Sequence, residues 1–254
     1  MDSRLARAEV AYQLGFHHGV RDILEDILKT DENNYRARIL YGKSFRDRAD
    51  KVRSKDSFFQ KIRSVFGVPS MKKLTPDYDK AIEQLTKARD ILESNDPRYG
   101  ISENDRKEVL RDLYMHLGGA KKSNFEHNSS DLTDDAAIIS IIENYHNAYL
   151  QDKKATYPQA VEIHSSLAFF YTILANRIRN NIGGVSMHVS ANDKQLYEEA
   201  LTLAKRPGWG PKIWAIENLS IAFKNNGNYA ACCHELSNMH GKLAKYISEK
   251  NNFK

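Results

Sequence analysis

The chain has 254 residues, 41% apolar and 28% charged, a balance that excludes a disordered polymer. Only 13 Gly and 6 Pro argue against a many-turned β architecture and fit long helices. Net charge is +5, and the two cysteines are the adjacent pair Cys232 and Cys233, which excludes a disulfide framework and predicts a reducing, cytoplasmic setting. Met1 to Val10 carries Asp2, Arg4, Arg7 and Glu9 and does not read as a signal peptide. The most apolar stretch, Leu167 to Ala175, falls far short of the roughly 20 residues that span a bilayer.

Helical periodicity dominates in chain order, and no segment shows sustained β alternation. A first pair of helices is predicted over 3–15 and 18–30. In the second of these Val20, Ile23, Leu24, Ile27 and Leu28 follow the spacing of one apolar helical face. Gly15 ends the first helix, and Asp31-Glu32-Asn33-Asn34 is a turn of backbone-bonding side chains. The next helix is predicted from Tyr35 to about Asp50.

A basic segment, 51–75, follows. It holds seven Lys/Arg and one acid, a net +6 that leaves the rest of the chain at −1. Within it Phe58, Phe59, Ile62, Val65 and Phe66 share one face of a short helix, and Lys55, Lys61 and Arg63 fall mostly on the others. Gly67 and Pro69 end that helix. Such a helix docks in a partner's groove, lies on an anionic membrane or sits on phosphates. The plainer reading packs its Phe face on the body of the protein, because three exposed Phe are a liability.

Thr75-Pro76-Asp77 opens another helix, which ends before Pro97. Further helices are predicted over 103–122, from 131–134 through Leu150, and over 157–180, with a polar loop at 123–130. The 157–180 helix is apolar nearly all round, which predicts burial on most sides. A Gly-containing connector, 181–190, precedes helices over 192–205, 211–226 and 229–249.

Tyr41-Gly42 and Phe45 in one helix, with Tyr78-Asp79-Lys80-Ala81, Leu85 and Ala88 in another, read as the two halves of one helix–turn–helix split by the basic segment. These hairpins resemble the tetratricopeptide-repeat family, whose unit is roughly 34 residues. Gly42 and Ala81 match its two small-residue positions. Ile216, Leu219, Ser220 and Phe223 resemble helix A of a later repeat, and Cys232, Leu236 and Met239 its helix B, with Gly227-Asn228-Tyr229 as the turn. Leu196 to Ala200 resembles another helix B start. Residues 98–190 depart from the pattern, and His17 stands where an aromatic is usual.

The resemblance implies an all-α fold: a right-handed α-solenoid of about five antiparallel helix pairs. It would form one domain over 1–254, with the basic insertion at 51–75 inside the second repeat. Stacked hairpins bury stripes that no single hairpin can. The concave face, lined by A helices, would present Arg36, Lys43 and Arg46, with Leu5, Glu9 and Tyr12 on the first A helix. The paired Lys and Asn residues of the family's carboxylate clamp are not found, which disfavours a chaperone-tail receptor.

Other candidates for chemistry have plainer readings. Glu143-Asn144-Tyr145-His146 has the Glu-x-x-His spacing of di-iron bundles but no second copy. His164 reads as a hydrogen-bonded core histidine. His17-His18 and His127 lack metal-ligand partners at suitable spacing. Gly183-Gly184 lacks the context of a phosphate loop. Cys232 and Cys233 read as small buried residues, and Trp209 and Trp214 as cover for the last hairpin. No catalytic residue, metal or cofactor is expected. The expected function is a non-enzymatic adaptor that binds a partner protein or peptide on the concave face. Its alternative is nucleic-acid or anionic-lipid binding through 51–75. The expected contact residues are Arg36, Lys43, Arg46, Phe58, Phe59, Lys61, Arg63 and Phe66.

Overall fold

The computed structural model describes residues 3–66, 77–94, 96, 99–128, 134–153, 158–181, 190–225 and 230–252. Every regular element among them is helical. The helices are α1 (Ser3–Gln13), α2 (His17–Thr30), α3 (Tyr35–Phe66), α4 (Tyr78–Glu93), α5 (Glu103–Asn128), α6 (Asp135–Gln151), α7 (Pro158–Asn181), α8 (Ala191–Ala204), α9 (Trp209–Asn225) and α10 (Ala230–Asn252). None of them is long and apolar enough to cross a membrane.

Short polar side chains set several starts by accepting from otherwise unpaired backbone N–H groups. Asn34 Oδ1 accepts from Ala37 N, Asp134 Oδ1 from Ala137 N and Ser190 Oγ from Asp193 N, each at 3.0 Å. Gly15, after α1, takes a φ of +81°, which glycine adopts without a Cβ clash.

Two ends differ from those the sequence predicts. α3 does not stop near Asp50 but runs unbroken for 32 residues to Phe66. No Gly or Pro lies between 50 and 66, so nothing in that stretch breaks the helix. α5 runs through the polar residues 123–128, where a loop is predicted. Phe125 is buried there, and Asn124 Nδ2 donates to Asp79 Oδ1 at 3.2 Å, so tertiary contacts override local polarity.

The chain forms two compact units, 1–132 and 133–254. In the first, α1 to α5 pack in sequence, each on the next, and α3 also meets α1 and α5. α3 and α4 run antiparallel. Arg38 bonds Gln84 at one end, Tyr78 bonds Asp50 at the other, and Gly42 lies between against Leu85 and Ala81. A Cβ at position 42 would sit 2.6 Å from Leu85 Cγ, so only glycine admits this approach. Leu24, Ile27, Tyr78, Leu85, Leu113 and Leu117 are fully buried, each apolar side chain contributing about 1.5–3 kcal/mol. Tyrosines tie the joints. Tyr12 donates to Asp47, Tyr41 to Glu25, Tyr78 to Asp50 and Tyr114 to Glu93, in each case on another helix.

In the second unit the packing series is α6, α7, α10, α9, α8. α9 and α10 touch, as the predicted last pair requires, but the main partner of α10 is α7. These two run antiparallel, with His164 against His240, Ala168 against Ser237 and Ala160 in one core with Ile247. Small residues allow the contact. A Cβ on Gly241 would meet only Ala168 Cβ, at 3.9 Å, and Ser237 Oγ donates to Ala168 O at 2.8 Å.

Candidate functional site

Alternate helices of the first unit leave a cleft between them. One cavity of about 470 Å³ is walled by Glu9 and Tyr12 of α1, by Arg36, Ile39 and Lys43 of α3, and by Val109 and Asp112 of α5. A second, of about 340 Å³, continues past the turn at Asn33 to Tyr99, Ile101 and Asp105. Tyr35, Arg36 and Val109 line both, so the two form one groove with an apolar floor at Leu40 and Leu113.

The charges in this groove are unequally engaged. Asp47, behind it, accepts from Tyr12 at 2.6 Å, Asp112 pairs with Arg111 at 2.8 Å, and Asp105 accepts from Ser102 at 2.7 Å. Arg36 Nε donates to Tyr35 Oη at 3.0 Å, and its guanidinium lies over the same ring. Neither Arg36 nor half-buried Lys43 has a carboxylate partner within ion-pair distance among the described residues. Burial holds the Lys43 ammonium below its ordinary pKa, and the fields of Asp112 and Asp47 act the other way. A partly desolvated ammonium two helical turns from an aromatic-backed guanidinium, both lining one groove, suits a carboxylate-bearing ligand.

Arg46, predicted on the same face, is committed elsewhere. Its guanidinium lies against Gly119 of α5, 2.7–2.8 Å from where a Cβ would stand. Its Nη1 is 3.3 Å from His116 Nδ1. Arginine only donates, so Nδ1 accepts and the His116 proton sits on Nε2. Burial, then the charges of Lys43 and Arg46, push the His116 pKa down to about 3. Arg36 and Lys43 therefore line one groove, and Arg46 lies in the α3–α5 joint.

The predicted contacts Phe58, Phe59, Lys61, Arg63 and Phe66 lie outside the described side chains, although the backbone there is part of α3. Just before them, Arg53 pairs with Glu126 of α5 at 3.1 Å. The His17 and His18 side chains, Gly183-Gly184, Pro97 and the turn Gly227-Asn228-Tyr229 also lie outside the described residues.

In the second unit Glu143 is exposed and His146 buried, so the Glu-x-x-His pair does not converge. Among the described residues no three His, Cys, Asp or Glu side chains are placed to hold a metal ion. Cys232 and Cys233 are fully buried, and burial pushes both thiols up to about 12, which leaves them unreactive near neutral pH. Trp209 is half-buried and donates to Lys153 O at 2.9 Å. Trp214 differs from its predicted covering role. It is 63% exposed and lines a cavity of about 480 Å³ with Arg206, Pro211 and Glu217.

Two residues of consequence have weak sequence signals. Gly119 belongs to Gly118-Gly119 in mid-helix, where glycine costs about 1 kcal/mol against alanine. That cost is the signal of a close approach. His240 has no local signal, because its partner lies 76 residues away. No protein-family model matches the chain, and no curated protein matches it.

Proposed function

We propose that the first unit is a helical-repeat binding module, and that the chain acts as a non-enzymatic adaptor. Its groove between α1, α3 and α5 would hold an extended segment of a partner protein. The observation that carries this reading is the groove itself: three non-consecutive helices, an apolar floor, and two cations without a carboxylate partner among the described residues, while Asp47 and Asp112 nearby are engaged by Tyr12 and Arg111. The sequential packing of α1 to α5 and the glycine-mediated α3–α4 contact support the resemblance to a tetratricopeptide array, with α1, α3 and α5 as A helices of right-handed stacking. The setting we propose is cytoplasmic. A carboxylate of the partner would lie between Lys43 and Arg36, with apolar side chains against Ile39 and Val109.

A second reading rests on α3. Beyond Asp50, where α4 begins, the helix continues through 16 more residues rich in Lys and Arg. A basic helical extension of that kind would bind nucleic acid or an anionic lipid surface, and such binding weakens steeply with salt.

The test is photo-crosslinking of the full chain in cell extract. A crosslinking residue replaces Ile39 in the groove or, as a control, exposed Glu83 on α4. Capture of a protein at 39 and not at 83, lost in R36E/K43E, is the expected result. Equal capture at both positions, or capture unchanged by the charge reversal, contradicts the groove reading. Capture that disappears after nuclease treatment favours the second.

A further inference from the structure

The α7–α10 pair is the most extensive helix contact of the second unit, and its centre is polar. His164 Nδ1 and His240 Nδ1 lie 2.8 Å apart, with the two residues 2% and 0% exposed. A bond between two such nitrogens needs one donor and one acceptor. Two neutral rings satisfy it with one proton between them. A first extra proton places a full charge in the core, and a second leaves two N–H groups facing each other.

Among the described residues the surroundings offer that charge no counterion. From α6, the Tyr149 ring is 5.7 Å from both imidazoles, and His146, a third buried imidazole, is 5.8 Å from Tyr149. From α7, Tyr171 stacks on His240 at 6.1 Å. From the start of α9, Trp209 meets His164 edge-on at 6.4 Å. Farther along α9, Lys224 acts on His146, as does Lys153 after α6. Glu217, the carboxylate whose field reaches Tyr149, is engaged by Lys153. The side-chain atoms His146 Nδ1, Tyr149 Oη and His240 Nε2 are buried without a hydrogen-bond partner among the described residues. The site tolerates neutral rings and penalises charged ones.

We propose that this imidazole cluster is an acid-sensitive latch: as pH falls below neutral, proton uptake by His146, His164 and His240 releases α10 from α7 and opens the second unit. Burial holds His146 and His164 down at about 4, and burial, then its neighbours His164 and His146, hold His240 well below the ordinary value. Once the joint opens, each ring returns to roughly 6.5. Between those limits the open form binds more protons, so closure weakens as pH falls and is unaffected by these groups above about pH 7. At pH 5 one ring with pKa values of about 4 closed and 6.5 open shifts the balance roughly 30-fold toward the open form. The first unit is less sensitive, with His116 as its one strongly depressed imidazole among the described residues.

The test is hydrogen exchange, corrected for intrinsic rates, on the full chain from pH 7.5 to 4.5. Protection of α7 and α10 amides is expected to fall at least tenfold more than that of α3 and α4. In W214F, Trp209 is the sole tryptophan, and its emission should shift red over the same range. H164Q/H240Q, which replaces titrating rings by amides, should keep its protection to lower pH. If that variant does not fold, proton NMR of the unaltered histidines decides. Their ring signals must stay untitrated until α10 protection is lost. Buried histidines that titrate near 6.5 with α10 still protected at pH 5 overturn the latch. So does a folded H164Q/H240Q with the full acid sensitivity, or equal loss of protection in both units.

Discussion

Single glycines decide how closely the helices of the first unit approach, and two of them predict opposite outcomes. At Gly42 a new Cβ would meet the branch point of Leu85 at 2.6 Å and Ala81 O at 3.2 Å, both fixed by the fold. At Gly119 its three nearest neighbours would all be guanidinium atoms of Arg46, the far end of a side chain that can swing away. Gly42→Leu is expected to cost about 1–3 kcal/mol by overpacking. Gly119→Ala should stay within about 1 kcal/mol of the parent, because helix propensity offsets the displaced guanidinium. Urea unfolding midpoints measure both, and a Gly42→Leu protein as stable as the parent contradicts the α3–α4 contact. Gly42 and Ala81 were legible in the sequence because each sits in a local pattern of aromatic and small residues. Gly119 and His240 were not, since what they touch is set by helices brought together only in three dimensions.

The elements show where local pattern suffices and where it fails. Periodicity locates all ten helices, but α3 and α5 outrun their predicted ends because helices stop at breakers and lost contacts, not at polar residues as such. Nothing in the α10 sequence says that its broad buried face meets α7 more than α9, since apolar spacing gives a face and never its partner. Four joints of the first unit are different, each held by a tyrosine on a carboxylate. Burial and the bond to Asp50 push the Tyr78 phenol up to about 12, so it donates across the whole physiological range. Tyr78→Phe should therefore cost about 1–2 kcal/mol, as hydrogen bonds to charged groups do when partly solvated. Tyr149→Phe should be near neutral or stabilising, because its hydroxyl is buried without a bond among the described residues. Thermal unfolding of the two variants separates them, and equal losses contradict this assignment of partners.

At the scale of the whole molecule, the two units carry different chemistry. The first exposes a groove with two cations free of carboxylate partners among the described residues. The second encloses three neutral imidazoles. Occupation of the groove by a partner is decided by hydrogen exchange of the full chain, alone and with the protein captured at position 39. Binding there predicts new protection confined to the groove segments: the α1 turn around Tyr12, Tyr35 to Lys43, and Val109 to Leu113. Unchanged exchange in those segments, with protection gained instead on α2 and α4, on 51–66 or in the second unit, contradicts it.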